Sequence, residues 1–457
     1  MSTATLIPQN NQTSNPASDL GNAECFVAEH SASVRYCQAK GKWLVWAGDR
    51  WHWDDTDRVV ALAQKTVRTM LTEALQIDEY EKHRAYATHA IHSEARARID
   101  AMVYLARPHL SVRPKDLDSD RLLFNVTNGT LDLRTFTLEA HAPSALITKL
   151  SPVIYDPLAT CPNWLRFLED ITGGDAKIVE YLQRAVGYSM TGGTSEHALF
   201  MLYGAGCNGK TTFVEALRNV FGEYAKTADF STFMQQKSSS GPRNDLAMLC
   251  GARLVTATES DDGNHLAESF VKQITGGDTV TARFLYGEHF EFDPQFKLWL
   301  STNHKPNIRG TDDGIWRRIR LIPFTVRIPD DKIDRGLPEK LKAEASGILS
   351  WAVEGLRKYS TRGLDEPDSI RNATAEYRQD EDEIGRFIQA RCAMANSARV
   401  AARALYSAFR TWAMKNAESV VDERKFAKSM TERGIKSTRM TAGKFWEGIS
   451  LMPELTM

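Results

Sequence analysis

The chain opens on a polar run, STATLIPQNNQTSNPASD, with too few apolar side chains to offset the entropy of ordering, so residues 1–20 are expected to form a disordered tail. Apolar positions first cluster in KWLVWAGDRWHW, where Trp43, Trp46, Trp51 and Trp53 flank the turn Ala47, Gly48, Asp49, a β-hairpin pattern. Four tryptophans this close predict a buried aromatic cluster over a base-stacking platform. From Asp57 to about Arg107 the period becomes helical, with Val59, Leu62, Val67, Met70, Leu71 and Leu75 on one stripe, until Pro108 and Pro114 break it. LLFNVTNGTLDLRTFTLEAH predicts a second hairpin around Asn128 and Gly129. Asp116 and Asp118, a D-x-D in the polar link PKDLDSD, are read as a solvated loop instead of a metal pair.

A helical stretch from about Pro162 to Met190 ends at Gly192 and Gly193, and the pattern then changes. Ala198 to Tyr203 is a continuous apolar run of the buried parallel-strand type. After a glycine-rich loop, Phe213, Val214, Leu217, Val220 and Phe221 share one helical face that stops at Gly222, a C-terminal cap. Three further apolar strands are expected at Arg253–Glu259, Phe296–Thr302 and Arg320–Phe324. Leu337 to Tyr359 reads as helix. From about Met394, two helical patterns (Leu405, Phe409, Trp412; Phe426, Met430) precede a strand-like KFWEGISLM, the make-up of a winged helix to which Lys436, Arg439 and Lys444 lend local positive charge.

At 457 residues the chain exceeds one ordinary core, so about two to four domains are expected. Hydrophobic and charged residues at 42% and 25% describe a globular protein. A formal net charge of -1 leaves no global positive field, so any polyanion must be met by local patches. The six cysteines lack C-x-x-C pairs, which disfavours zinc or disulfides and fits a reducing cytoplasm. No apolar run has the length of a membrane span, and the first residues lack a signal-peptide core, so a cytoplasmic protein is expected.

The chemistry concentrates after the strand Ala198–Tyr203. Gly204, Ala205, Gly206, Cys207, Asn208, Gly209, Lys210, Thr211 and Thr212 read G-x-x-x-x-G-K-T-T, with strand, loop and helix in the order that a phosphate-binding P-loop requires. The glycines let backbone N–H groups face the phosphates of ATP, Lys210 supplies charge to the β/γ oxygens, and Thr211 offers its hydroxyl to Mg²⁺. A second strand should end in an acid, and Glu259, ahead of Ser260, Asp261 and Asp262, is the expected general base. Asn303, at the end of the third strand, is placed to sense the γ-phosphate or orient water. Arg317 and Arg318, before the fourth strand, could reach a neighbour's nucleotide.

The order GAGCNGKTT, RLVTATES, KQITGGDTVTARF, FKLWLSTNHKP, GIWRRIRLIPF resembles the superfamily 3 helicase core of phage and plasmid primase-helicases, which are similar to the poxvirus primase-helicase. KWLVWAGDRW and NVTNGTLDLR resemble the accessory domain before that motor. The resemblance implies an α/β, AAA-like P-loop core at residues 196–335. An α+β accessory domain at 21–160, a helical collar at 161–195, a helical extension at 336–393 and a winged-helix-like domain at 394–457 would surround it. It implies a hexameric homo-oligomer that hydrolyses ATP between subunits, moves along single-stranded or forked DNA, and works with replication proteins. Carried over, Lys210, Glu259 and Asn303 keep the roles above, Thr211 and Glu259 hold Mg²⁺, and Arg318 is the arginine finger, with Arg317 the alternative. Thr258 stands where many members carry a first acid, shifting metal binding toward Thr211 and water. The family's pore hairpin falls on TVTARFLYGEHFEFDP, and Arg283, Tyr286 and His289 within it, with Lys272 ahead of it, are the expected DNA contacts. Two other readings are a nucleotide-switched replication initiator without processive unwinding, which the sequence leaves open, and a primase-helicase that also makes primers. For the catalytic domain of the latter, the roughly 170 residues before the motor, already matching the accessory region, leave no room, so a family member lacking the primase domain is expected.

Overall fold

The computed structural model describes residues 17–235, 244–259, 265–283, 288–308, 310, 313–416, 418–441 and 443–453. The chain divides into two units, Met1–Tyr155 and Asp156–Met457. Most of the expected tail falls outside the described residues. Its last two positions, however, begin helix α1 (Asp19–His30), where Ser18 Oγ accepts from Gly21 N at 3.1 Å as an N-cap. Helices α2 (Arg58–Ala74), α3 (Tyr80–Ser93) and α4 (Arg96–Ala106) fill the span expected to be helical. Phe26, Val59, Val67 and Met102 join Val34 and Val45 in one core. Leu75, the end of the expected stripe, is exposed, because the buried face of α2 runs through Val59, Ala63, Val67, Met70 and Ala74 and Leu75 lies beside it.

Strands β1 (Val34–Cys37), β2 (Lys42–Trp46) and β3 (Trp51–Trp53) form an antiparallel sheet that includes the expected hairpin. Alternation along β2 divides its tryptophans between two faces. Trp43 meets Tyr36 at 4.9 Å on the helical side, while Trp46 meets Trp51 edge-on at 5.7 Å beside Leu44 and Val112. Trp53 is 36% exposed, so the four do not form the single buried cluster expected. A second antiparallel sheet holds β4 (Leu123–Val126), β5 (Gly129–Asp132) and β6 (Thr137–Glu139), with Val126 paired to Gly129 at the expected turn. Asp116 is bound by Arg113 and Asp118 accepts from Thr148, which leaves the D-x-D as a braced loop.

In the second unit, α5 (Pro162–Thr172) and α6 (Ala176–Met190) precede β7 (Leu199–Tyr203), α7 (Lys210–Phe221), β8 (Ala225–Thr227) and α8 (Asn244–Ala247). Then come β9 (Leu254–Thr258), α9 (Glu268–Gly276), the hairpin β10 (Val280–Ala282) and β11 (Phe290–Phe292), β12 (Lys297–Thr302), α10 (Asp313–Trp316) and β13 (Ile319–Pro323). Five strands form a parallel sheet in the order β13-β7-β12-β9-β8. Both faces are covered, which is why its strands read as continuous apolar runs. Phe200 stacks on Trp299 at 4.4 Å on one face, while Leu199, Met201, Leu298 and Leu300 face the core on the other.

Helices α11 (Leu337–Ala343), α12 (Ala345–Arg362), α13 (Asp368–Asp380) and α14 (Glu383–Arg391) follow the sheet. α12 lies in backbone contact with α6: a Cβ at Gly187 would stand 2.1 Å from Leu356 N, and one at Gly355 would stand 2.0 Å from Gln183 O. α13 reaches β13 through Leu321 N, which donates to Thr374 Oγ1 at 3.1 Å. The last segment comprises β14 (Cys392–Ala401), α15 (Ala402–Lys415), α16 (Glu423–Glu432), β15 (Ser437–Met440) and β16 (Gly443–Leu451). Its sheet order is β14-β16-β15, and Phe387, Leu405, Phe409, Phe426 and Trp446 share its core. β14 begins before residue 394 and was not foreshadowed by any apolar alternation. Among the described residues, no helix is long and apolar enough to cross a membrane.

Candidate functional site

The parallel sheet brings three chain segments together where β7, β12 and β9 end. Gly204 leaves β7 with its amide donating to Thr302 O at 3.3 Å, and a Cβ here would stand 2.1 Å from Phe324 O, so the glycine is required by a close backbone approach. Asn208 Nδ2 donates to the same Phe324 carbonyl at 2.9 Å, and Ile328 N donates to Cys207 O at 2.8 Å. The loop is thereby strapped to the chain after β13. Gly209 has φ +82°, and a Cβ would stand 2.5 Å from Ile171 Cγ2 of α5. Ala205, Gly206 and Cys207 are exposed at the loop's crest, while Thr211 and Thr212 open α7, Thr211 exposed and Thr212 half-buried.

Lys210 is buried, and its ammonium donates to Gly204 O, to Asn208 Oδ1 at 3.1 Å and to Asn303 Oδ1 at 3.1 Å. Burial pushes its pKa down and the nearby Glu259 carboxylate opposes that shift. Glu259 stands one residue past β9. Its Oε2 accepts from Thr302 Oγ1 at 2.5 Å, Asn303 N at 2.8 Å and His304 N at 2.9 Å. Oε1 takes no hydrogen bond from the described residues. The carboxylate is therefore oriented by one oxygen and open at the other. Because β12 lies between β7 and β9, Asn303 touches both sides, the Lys210 amine through its side chain and Glu259 through its N–H. An amine, an oriented carboxylate, an amide and a helix N-terminus thus converge, a set suited to holding an anion next to a base.

The remaining expected residues are distributed differently. Arg318 is 8% exposed, with Nε donating to Thr275 Oγ1 at 3.1 Å and Nη1 to Gly314 O, both of its own chain. Arg317 is the exposed member of the pair. A finger at Arg318 that reaches another subunit would have to leave these partners. Lys272 is half-buried on α9, off the β10–β11 hairpin, while Arg283 follows β10 with Nε buried and lacking a hydrogen-bond partner, and His289 is exposed ahead of β11. Tyr286, Ser260, Asp261 and Asp262 lie outside the described residues. Thr302 and His304, which complete the Glu259 anchor, are signalled only by their adjacency to Asn303.

A mixed α/β unit built on a five-stranded parallel sheet, with a glycine-rich turn from strand to helix, is an NTPase-like core. A family described as D5 N terminal like matches residues 23–173, and a family of unknown function, DUF5906, matches residues 202–318. The chain is 31% identical over 296 residues to L207/L206 of Acanthamoeba polyphaga mimivirus, provisionally named a helicase, covering 60% of this chain and 31% of that protein. It is 25% identical over 311 residues to 022R of Frog virus 3, also provisionally named a helicase, covering 64% and 30%. It is 26% identical over 311 residues to C962R of African swine fever virus, provisionally named a primase, covering 62% and 32%. The chain spans about a third of the length of these curated relatives. In fold it is similar to the solved C-terminal region of NrS-1, with TM-score 0.52 at 10% identity, covering 92% of this chain and 97% of that one. These matches support a relationship to the viral proteins provisionally named helicases and primases, to which the chain is similar.

Proposed function

We propose that this chain is the ATP-hydrolysing motor of a DNA helicase that moves on single-stranded DNA during replication of a virus, phage or plasmid. The observation that carries the reading is the convergence of Lys210, Asn303 and Glu259 at the ends of three neighbouring parallel strands. In this reading the loop Gly204–Gly209 and the first turn of α7 cradle the phosphates, and Lys210 neutralises the β/γ oxygens. Glu259, held through Oε2, uses Oε1 to take a proton from water, and the Asn303 amide orients that water or the γ-phosphate. Mg²⁺ would supply charge neutralisation on the phosphates, and the residues fit a hard oxygen-liganded ion: the exposed Thr211 hydroxyl would hold it together with water, and Glu259 would reach it only through a bound water.

An arginine finger must protrude from its own subunit. We therefore assign it to the exposed Arg317, while Arg318 braces α9 and α10 within the chain. That assignment requires a homo-oligomeric ring, here taken as a hexamer. The β10–β11 hairpin, with Arg283 and His289, is assigned to single-stranded DNA, and the β14-to-β16 segment is read as a winged-helix-like module.

The test is MgATP turnover by the purified chain and by Lys210→Ala, followed by unwinding of a forked duplex. Turnover that depends on Lys210 and is stimulated by single-stranded DNA, with unwinding, supports the motor; turnover without unwinding supports the nucleotide-switched initiator. The primase name of the African swine fever virus relative belongs to a protein about three times the matched length, so primer synthesis is a second reading, decided by a primer-extension assay.

A further inference from the structure

The segment after β12 carries Asn303, and it is gripped by a helix that stands outside the sheet. Tyr377 of α13 is buried, and its hydroxyl donates to Pro306 O while its ring meets Trp316 edge-on at 5.2 Å. Burial raises the phenol pKa well above its ordinary value, so this donor keeps its proton. Lys305 Nζ reaches Asp380 Oδ2 at 3.1 Å and lies 5.2 Å from the Tyr377 ring centre and 5.3 Å from that of Tyr203, the residue before the glycine-rich loop. Glu381 Oε2 accepts from Ile308 N at 2.8 Å. Carbonyl, side-chain ammonium and amide of one six-residue stretch, 303–308, are thus fixed by a single helical turn.

The next residue bonds the other way. Asp382 caps α14 by accepting from Gly385 N at 2.8 Å, and it pairs with Arg433 at the end of α16. Glu381 therefore belongs to the Asn303 loop and Asp382 to the C-terminal module. A cavity of about 420 Å³, lined by Ile308, Arg378, Glu381, Asp382, Glu432 and Arg433, leaves room between the two.

We propose that Tyr377 and Glu381 are positioning residues that set Asn303 against Glu259 and Lys210, and that the Glu381–Asp382 step passes displacement of the Asn303 loop to the C-terminal module. The proposal rests on the ATPase reading above. Interior packing transmits small shifts between bistable arrangements, and a 1 Å misplacement of a reacting group is felt strongly in rate.

The experiment uses the full chain with three substitutions and two readouts. Tyr377→Phe keeps the ring but loses the donor, Glu381→Ala loses the acceptor for Ile308 N, and Glu381→Gln keeps an acceptor there. Steady-state ATPase should show kcat reduced about 10- to 100-fold in Tyr377→Phe and Glu381→Ala, with KM changed much less, and rescue in Glu381→Gln. Hydrogen exchange of residues 383–391, with and without a non-hydrolysable ATP analogue, should show an analogue-dependent change in wild type and Glu381→Gln that is lost in Glu381→Ala and Tyr377→Phe. A merely structural role would lower thermal stability without separating kcat from KM and without removing that response. Should Glu381→Ala not fold, Tyr377→Phe decides both readouts. Wild-type kcat in the two deleterious variants, or an exchange response that survives them, overturns the proposal while leaving the ATPase reading intact. Wild type that shows no Lys210-dependent turnover overturns both.

Discussion

Glu259 is anchored and chemically exposed at the same time, and two substitutions separate those properties. In Glu259→Gln the amide oxygen can occupy the Oε2 position and keep accepting from Thr302, Asn303 N and His304 N, while the outward atom becomes an NH₂ that cannot take a proton. Loss of a positioned general base is worth about 10²–10⁴ in rate. The expectation is therefore a fall in kcat of that size with nucleotide affinity close to wild type. Glu259→Ala loses the anchor as well. The N–H groups of Asn303 and His304 are exposed and regain water, whereas Thr302 Oγ1 is buried and turns wholly to His304 O. The net loss should then be that of about one hydrogen bond to a charged group, about 1.5–3 kcal/mol. Asn303, freed at its amide, should also meet Lys210 less well, so Glu259→Ala should weaken nucleotide binding where Glu259→Gln does not. The assays are ATP turnover, fluorescent-nucleotide titration and denaturant unfolding of both proteins. Wild-type turnover in Glu259→Gln would end the base assignment and transfer it to another acid. Equal nucleotide affinity and stability in the two variants would refute the anchor.

Lys210→Ala should abolish ATP hydrolysis and, because Gly204 O, Asn208 Oδ1 and Asn303 Oδ1 lose a buried donor, should cost about 1–3 kcal/mol of stability in denaturant unfolding; measurable turnover in a folded mutant would count against the phosphate-loop assignment. Arg317→Ala should lose turnover at unchanged stability, whereas Arg318→Ala should lose about 1–3 kcal/mol as buried partners go unsatisfied. Mixing Arg317→Ala with Lys210→Ala should restore part of the ATPase activity if the finger acts in trans, and no recovery despite proven subunit exchange would reject that arrangement. Alkylation of the exposed Cys207, followed by mass spectrometry to separate it from the exposed Cys250, should be slowed by MgATP, and equal rates with and without nucleotide would place the ligand elsewhere. Arg283→Ala together with His289→Ala should weaken single-stranded DNA binding, seen as a reduced salt-sensitive affinity, more than basal hydrolysis.

What could be read in the residues was whatever local pattern determines. The run before Gly204, the glycine spacing and the apolar face of α7 each carry their own signal, and the parallel strands read as buried because both their faces are covered. Relations across the sheet are different. Nothing in the spacing says that β12 enters between β7 and β9, and only that order lets Asn303 touch Lys210 and Glu259 together. The choice between Arg317 and Arg318 turns on Thr275 and the Gly314 carbonyl, partners remote in character from any arginine motif. α1 escapes because its signal is a serine cap followed by glycine and asparagine, Gly21 and Asn22, in its early turns, poor helix formers held by tertiary burial. β14 escapes for a related reason: CAMANSARVA is mostly exposed and lacks alternation, so its strand state comes from pairing with β16.

The contact between α6 and α12 bears on how this unit can deform. Where Gly187 and Gly355 let two helices meet backbone to backbone, sliding one past the other would bring a side chain into a gap that holds none, and Gln183 Nε2 bonding to Trp351 O at 3.0 Å adds a directional lock. Such a joint resists shear and twist far better than leucine against leucine, whose ridges offer several registers of similar energy. The helix that enters the sheet region and the helix that leaves it consequently resist sliding on each other, so a deformation of this unit is borne first by segments outside that pair, the glycine-rich turn and the stretch after β12 among them.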